Sequence, residues 1–282
     1  MKVGRFRDTF FGNRFLRKKP TMIGLGMIIA IVIFVLVGPY FVHYPPLRTS
    51  GNIDSPPSFA HPFGTDYEGH DLLSQVIYGA YPTLTVGLAS ASGAVVLGFT
   101  AGLFGGYYGK LQALIYGITD VVLSFPALVL LLLVGSIFIA TNAFVSAALI
   151  VVLWPTCARA IRAQVSSLKK MAYIDAARKS GLKDRQILWT IIAPEVAPIG
   201  IAFFVLYISV AIVVVTALEF LGVGDVAQVS WGSILFFAQN YGFFTGDWWW
   251  VLAPGIMIAL TSTAFALVGF SVEEIMNPRL RV

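Results

Sequence analysis

Residues 162–195 read RAQVSSLKKMAYIDAARKSGLKDRQILWTIIAPE, one long basic interruption between apolar segments, and the chain is organised around it. A helix over about Met171 to Lys179 puts Ala172, Ala176 and Ala177 on one small, flat face, where another protein's groove can approach the backbone closely. Gly181 ends that helix, because glycine accepts the left-handed conformation that closes one. A second helix, about Asp184 to Ile192, then leaves at a sharp angle, and Pro194 stops it. On charge alone, the segment would also suit a basic loop attracted to anionic lipid.

Hydrophobic residues make up 57% of the 282 and charged residues 12%. The mean hydropathy is +0.82, outside the range of soluble globular domains. Six stretches are long and apolar enough to cross a hydrocarbon core about 30 Å thick as helices: roughly 22–42, 84–106, 112–140, 143–162, 196–222 and 249–271. Continuous hydrophobicity of this length excludes a membrane β-barrel, whose strands alternate. The expected fold class is an all-α integral membrane protein with six transmembrane helices, multi-pass in the cell membrane.

Basic residues assign the orientation. Of the 19 Lys and Arg, only Arg48 falls on the side opposite the N-terminal cluster, Lys110, the 159–185 group and Arg279 and Arg281. By the positive-inside rule both termini are cytoplasmic, and the net charge of +5 reflects topology and not nucleic-acid binding. No small-residue cleavage site follows the first apolar segment, which reads as an uncleaved helix. Cys157 is alone in an apolar span, with no partner for a disulfide or metal site.

Residues 1–20 form a basic amphipathic segment, with Phe6, Phe10, Phe11 and Phe15 spaced to lie on the membrane while Arg and Lys meet lipid phosphates. The outer loop, 43–81, becomes helical after Gly64, with Thr65 or Asp66 as N-cap and Glu68 and Asp71 in the first turn. The chain thus divides into residues 1–60, an outer-loop helix at 61–81, a transmembrane body at 82–275 with its cytoplasmic loop at 163–195, and a tail at 276–282.

The order Asp175-Ala176-Ala177, Gly181, then Ile191-x-x-Pro194 resembles the cytoplasmic signature loop of ABC-importer permeases: Glu-Ala-Ala, three residues, Gly, nine residues, Ile-x-Leu-Pro. Asp175 stands for Glu and Ala193 for Leu. The outer-loop segment His61-Pro62-Phe63-Gly64-Thr65-Asp66, with Gly69-His70-Asp71-Leu72-Leu73-Ser74, resembles that of the dipeptide, oligopeptide and nickel class, His70 standing where that class has Arg. Phe15 to Lys19, Gly106-Tyr107-Tyr108-Gly109, Asp120 with Phe125-Pro126, Phe220 to Gly224, Ser230-Trp231-Gly232 and Asn277 to Arg281 also look like this class, and within it like the second of two permease subunits.

The resemblance implies the type I importer permease fold and a subunit that is not itself an enzyme. It also implies four kinds of partner: a homologous second permease forming a heterodimer, two ATPases at the cytoplasmic face, an extracytoplasmic binding protein, and membrane lipid. Ala172, Asp175, Ala176, Ala177, Gly181, Asp184, Arg185 and Pro194 are the ATPase-coupling residues it implies. The chain has no Gly-x-x-x-x-Gly-Lys-[Ser/Thr] loop, and Gly105 to Lys110 has the wrong spacing. No cofactor is therefore expected in this chain, ATP and Mg being bound by the partner ATPases. Thr119, Ser124, Tyr207, Ser209 and Thr216 supply scattered polarity on the third and fifth spans. Some should face the partner permease or a water-filled pathway, although Ser and Thr also bond back to their own helix.

Other groups carry weaker signals. His43, His61 and His70 share the outer loop with Asp66 and Asp71, but their spacings do not suit a closed metal-ligand set, and loop folding explains them. Asp120 and Glu219 lie in or at the ends of spans, where charge is costly, and are expected to snorkel or to pair with a neighbouring helix. Trp248-Trp249-Trp250 suits an aromatic belt, or, with Tyr241, Phe243 and Phe244, a stacking path for sugars. Pro126 and Pro155 should kink their spans. The expected function is import of oligopeptides, dipeptides or longer, by alternating access. Cello-oligosaccharides or nickel are alternative cargo for the same machine, and a stand-alone secondary transporter is the rival of another class, for which neither mid-membrane coupling residues nor repeats are visible.

Overall fold

A spanning segment finds no water to bond its backbone N–H and C=O groups, so apolar stretches of this length close their hydrogen bonds internally as helices. The computed structural model describes residues 18–42, 44–137, 141–225, 227–242 and 246–276. Phe6, Phe10, Phe11 and Phe15 of the amphipathic segment lie outside them, as do His43, Phe243, Phe244 and Asn277 to Arg281.

α1 (Lys19–Val37) runs into a 3-10 turn at Gly38–Tyr40. There follow α2 (Leu72–Tyr107), α3 (Gly109–Leu123), α4 (Ala127–Ile137), α5 (Asn142–Leu168), α6 (Ala172–Lys179), α7 (Asp184–Ile187), α8 (Ala193–Phe220), α9 (Trp231–Phe237) and α10 (Trp248–Met276). Among the described residues the only bridged pairings are two isolated ones, Thr49 with His70 and Thr65 with Asp71. Among the described residues five helical stretches are each long and apolar enough to span, and α3 with α4, bent by 81° between them, makes a sixth where the pair counts as one span. The all-α, multi-pass membrane architecture is as expected.

The details differ in three places. The outer-loop helix and the second span are one element, because α2 has 36 residues and so runs about 54 Å, well beyond the hydrocarbon core. Its N-cap is Asp71, whose Oδ2 accepts from Ser74 N at 2.9 Å, and not Thr65 or Asp66. Asp66 instead folds the preceding loop, its Oδ1 accepting from Glu68 N at 2.9 Å and His70 N at 2.8 Å. Pro194 does not stop the second loop helix. A π turn at Leu188–Ile192 carries it into α8, and Pro194 is accommodated directly after that turn. Pro126 sits at the 81° break as expected, whereas Pro155 lies inside an uninterrupted α5.

Glycines set the closest approaches. On α2, Gly98, Gly102 and Gly106 recur every fourth residue and face carbonyls of α5. A Cβ would lie 2.7 Å from Trp154 O at Gly98, 2.6 Å from Ala158 O at Gly102 and 2.9 Å from Arg162 O at Gly106. Such small-residue stripes let membrane helices pack backbone to backbone, where van der Waals contact supplies what the hydrophobic effect cannot. α1 meets α10 in the same way at Gly24, 2.9 Å from Ala264 O, and Lys18 Nζ reaches Glu274 Oε1 at 2.7 Å near the ends of the pair.

The opposite end is closed by α9. Trp231 is fully buried, donating its backbone N–H to Thr83 Oγ1 at 3.1 Å and its indole N–H to Val76 O at 2.9 Å, both on α2. Glu219, at the end of α8, accepts from Ser230 Oγ at 2.7 Å, which is the pairing expected of it. Trp248 is exposed as a belt residue would be, but Trp250 is buried. Tyr67 stacks on Trp250 and, at 4.2 Å, on Tyr241, so these rings pack the loop onto α10 instead of lining an open sugar path. His61 and His70 pair with Asp71 and Asp66 at 2.9 and 3.0 Å within the same loop.

Gly102→Val should drive α2 off α5, since the new atoms meet backbone that cannot move aside. Folded protein recovered as a single species after detergent extraction should fall about tenfold, in the range of severe core disruption, while Gly117→Val, where a Cβ meets nothing within 4 Å, should leave the yield unchanged.

Candidate functional site

The basic loop between α5 and α8 has one apolar side and one open side. Ile174 on α6, Ile187 on α7 and Leu188 and Ile192 in the π turn are fully buried. They join Ile161, Val165 and Leu168 of α5 and Leu103 and Tyr107 of α2 in one cluster. A short helix of eight residues is marginal alone, so this rooting is what holds α6 in place.

The turn after α6 follows from Gly181, whose φ is +89°. Leu182 N bonds Ala177 O at 3.2 Å and Gly181 N bonds Arg178 O at 3.1 Å, the paired closure that a left-handed residue permits at a helix end. A side chain at Gly181 would meet no atom, so the glycine is there for its backbone and not for space. α7 then starts with Lys183 N donating to Gln186 Oε1 at 2.9 Å.

Polar contacts latch the loop to the spans. Tyr107 Oη donates to Asp184 Oδ1 at 2.5 Å, and Arg178 Nη2 stands 3.5 Å from both atoms. Lys169 Nζ donates to Tyr107 O at 2.7 Å. Tyr173 Oη donates to Glu195 Oε2 at 2.8 Å, tying α6 to the start of α8. Burial first, and that bond second, push the Tyr173 phenol up to about 12, so it keeps its proton and remains a donor at ordinary pH.

The sequence-derived coupling residues divide between these two sides. Ala172, Asp175, Ala176, Gly181, Asp184, Arg185 and Pro194 are exposed. Ala177 is half-buried against the cluster, so it does not share the open face expected for it with Ala172 and Ala176. The open side is completed by Met171, Tyr173 and Leu182. Asp175 lies 3.5 Å from Arg178 Nη1 and Asp184 accepts from Tyr107, so both acids have partners within the chain. Tyr107, Tyr173, Arg178, Lys169 and Glu195 were not anticipated in the site. The one visible signal was the run of isoleucines spaced through an otherwise polar loop.

The five residues assigned to a pathway scatter. Tyr207 is buried and donates to Leu153 O on α5 at 2.8 Å, and Ser209 donates to Ser262 O on α10 at 2.7 Å. Thr216 bonds Ile212 O at 2.8 Å and Thr119 bonds Tyr116 O at 3.0 Å, each within its own helix and each buried. Their need for a partner, the ground for placing them on a pathway, is met inside the subunit. Ser124 bonds Val121 O at 2.7 Å and remains exposed at the bend between α3 and α4.

The structure is that of a helical membrane subunit with a core-rooted, outward-facing loop helix, and comparison with known proteins gives its class. Residues 94–282 match the family model described as binding-protein-dependent transport system inner membrane component, and residues 6–62 match the N-terminal TM domain of oligopeptide transport permease C. The chain is 32% identical to the dipeptide transport system permease protein DppC of Alkalihalophilus pseudofirmus over 99% of this chain and 91% of that one. It is 29% identical to the glutathione transport system permease protein GsiD of Pectobacterium atrosepticum, over 96% and 91%, and to the oligopeptide transport system permease protein OppC of Haemophilus influenzae, over 95% and 88%. The chain belongs to the family of inner-membrane permease components of binding-protein-dependent ABC importers, and within it is similar to the DppC and OppC type. It is a membrane subunit of a transporter, and that membership displaces the stand-alone secondary transporter.

Ile174→Asp would place an unpaired carboxylate in the buried cluster, at a cost of several kcal/mol. α6 should leave its seat, and uptake by the assembled importer should fall at least about tenfold with the chain still inserted. Equal uptake at equal membrane levels would show that rooting of α6 is dispensable.

Proposed function

We propose that this chain forms half of the translocation pathway of an ATP-driven importer of peptides, dipeptides or longer, and works by alternating access. The observation that carries this reading is the division of α6: Ile174 and Ala177 seat it in the core, while Met171, Ala172, Tyr173, Ala176 and Leu182 are open to a partner. A push on that open face moves α5 and α2 with it, because the same cluster joins all three. Closure of two ATPases, which bind ATP and Mg, supplies the push. The spans then rock against a homologous second permease, and the pathway opens to an extracytoplasmic binding protein that carries the cargo. Relatives named for dipeptides, oligopeptides and glutathione favour peptide over oligosaccharide or nickel.

The importer, reconstituted with its second permease, ATPases and binding protein, is expected to accumulate a labelled dipeptide in vesicles when ATP is supplied. ATP hydrolysis stimulated by a loaded sugar or nickel and not by any peptide would replace the cargo. We further propose that both termini and the α6 loop are cytoplasmic, on the charge asymmetry of the sequence. In intact cells a cysteine at Phe59, which is fully exposed, should then react with an impermeant thiol reagent, and one at Lys183 should not; the reverse pattern would invert the topology.

A further inference from the structure

Asp120 on α3 and Arg159 on α5 form an ion pair between helices. Asp120 lies about 16 Å along the axis from the start of α3 at Gly109, and Arg159 about 14 Å from the end of α5 at Leu168, at 1.5 Å per residue. Both therefore lie several turns inside helices whose apolar runs are long enough to be part of a span. Yet their side chains are 56% and 42% exposed on the surface of the subunit. Other polar groups lie on the same two helices, among exposed apolar ones such as Ile118, Val121 and, at the bend, Phe125. The Arg162 guanidinium lies 3.6 Å over the Tyr116 ring, and Thr156, Gln164 and Ser167 are exposed along α5. Just beyond Asp120, the chain bends by 81° and leaves Ser124 open. Hydrocarbon penalises open charge, and ionisable groups at such depth face water or protein and mark pathways.

We infer that the Asp120–Arg159 pair lines the inner part of the translocation pathway and reads the charged ends of the peptide, Arg159 taking the carboxylate and Asp120 the ammonium. This rests on the peptide reading above. A peptide in transit is a zwitterion whose two charges have left the water that solvated them. A planar guanidinium receives a carboxylate through two parallel N–H bonds. Asp120 supplies the opposite charge beside it, so the internal pair is exchanged for two pairs with the substrate, and the pathway holds no unpaired charge either loaded or empty. A merely structural ion pair makes no such exchange, and removing both of its charges is often neutral.

The whole importer in proteoliposomes tests this with a labelled dipeptide, at equal amounts of assembled complex. Arg159→Gln should lower uptake about tenfold, the worth of one lost charged contact, and the Asp120→Asn/Arg159→Gln double variant should stay as low. Recovery of the double variant to within about twofold of the unchanged importer, as a structural pair predicts, would overturn the proposal. Where Arg159→Gln prevents assembly, Thr156→Cys in a Cys157→Ala background decides. It should react with a membrane-impermeant thiol reagent on the cytoplasmic side of the nucleotide-free complex, and an unreactive cysteine overturns the assignment. An unchanged importer that moves no peptide refutes the cargo, and with it the reading of peptide ends, whereas Thr156 labelling independently decides whether the pair faces water.

Discussion

Three carbonyl oxygens of α5 stand where side chains of α2 would otherwise begin, at Gly98, Gly102 and Gly106. The seat of the basic loop depends on that contact, since its cluster includes residues of both helices. Helices in lipid gain little from hiding apolar side chains, since hydrocarbon surrounds them in any arrangement. Close backbone packing is what makes one arrangement of α2 and α5 better than the others. Because α5 runs directly toward the loop helix, the glycine stripe also fixes where α6 starts.

From there the loop is a continuation of the core and not an appendage. The buried isoleucines of α6, α7 and the π turn pack with the last turns of α5 and α2. Tyr107, the final residue of α2, anchors the polar contacts through Asp184, Arg178 and Lys169. Such a seat suits transmission: a rigid, well-packed contact moves as a body, whereas a solvated loop would absorb a push by bending. The backbone also runs on from α7 through the π turn into α8, so the loop is joined directly to a third span.

The two ends of the subunit use polarity differently. In the outer loop, Asp66, Asp71, His61 and His70 are buried in mutual pairs, and Glu219 is held by Ser230, so the charges there are consumed in holding structure. Asp120 and Arg159 are also paired, but open to whatever adjoins the subunit. A buried pair is satisfied by its own chain, and an open one at membrane depth is shaped by what meets it.

The sequence by itself determined the all-α membrane class, the break at Pro126, the basic loop with its turn at Gly181, and the family through spaced motifs. Each depends on a local rule: length of an apolar run, loss of a backbone donor, freedom at positive φ. Only the tertiary structure decided which helices touch, and so which side of α6 is open. Ala177 turned inward because Ile174 had to be buried, Pro194 was absorbed because a π turn preceded it, and the outer helix merged with the second span because Asp71 capped it. Tyr207, Ser209 and Thr216 show that polarity on an apolar helix can be satisfied inside the subunit. A hydroxyl needs one acceptor, and whether its own helix, a neighbouring one or water provides it depends on packing between segments far apart in the chain.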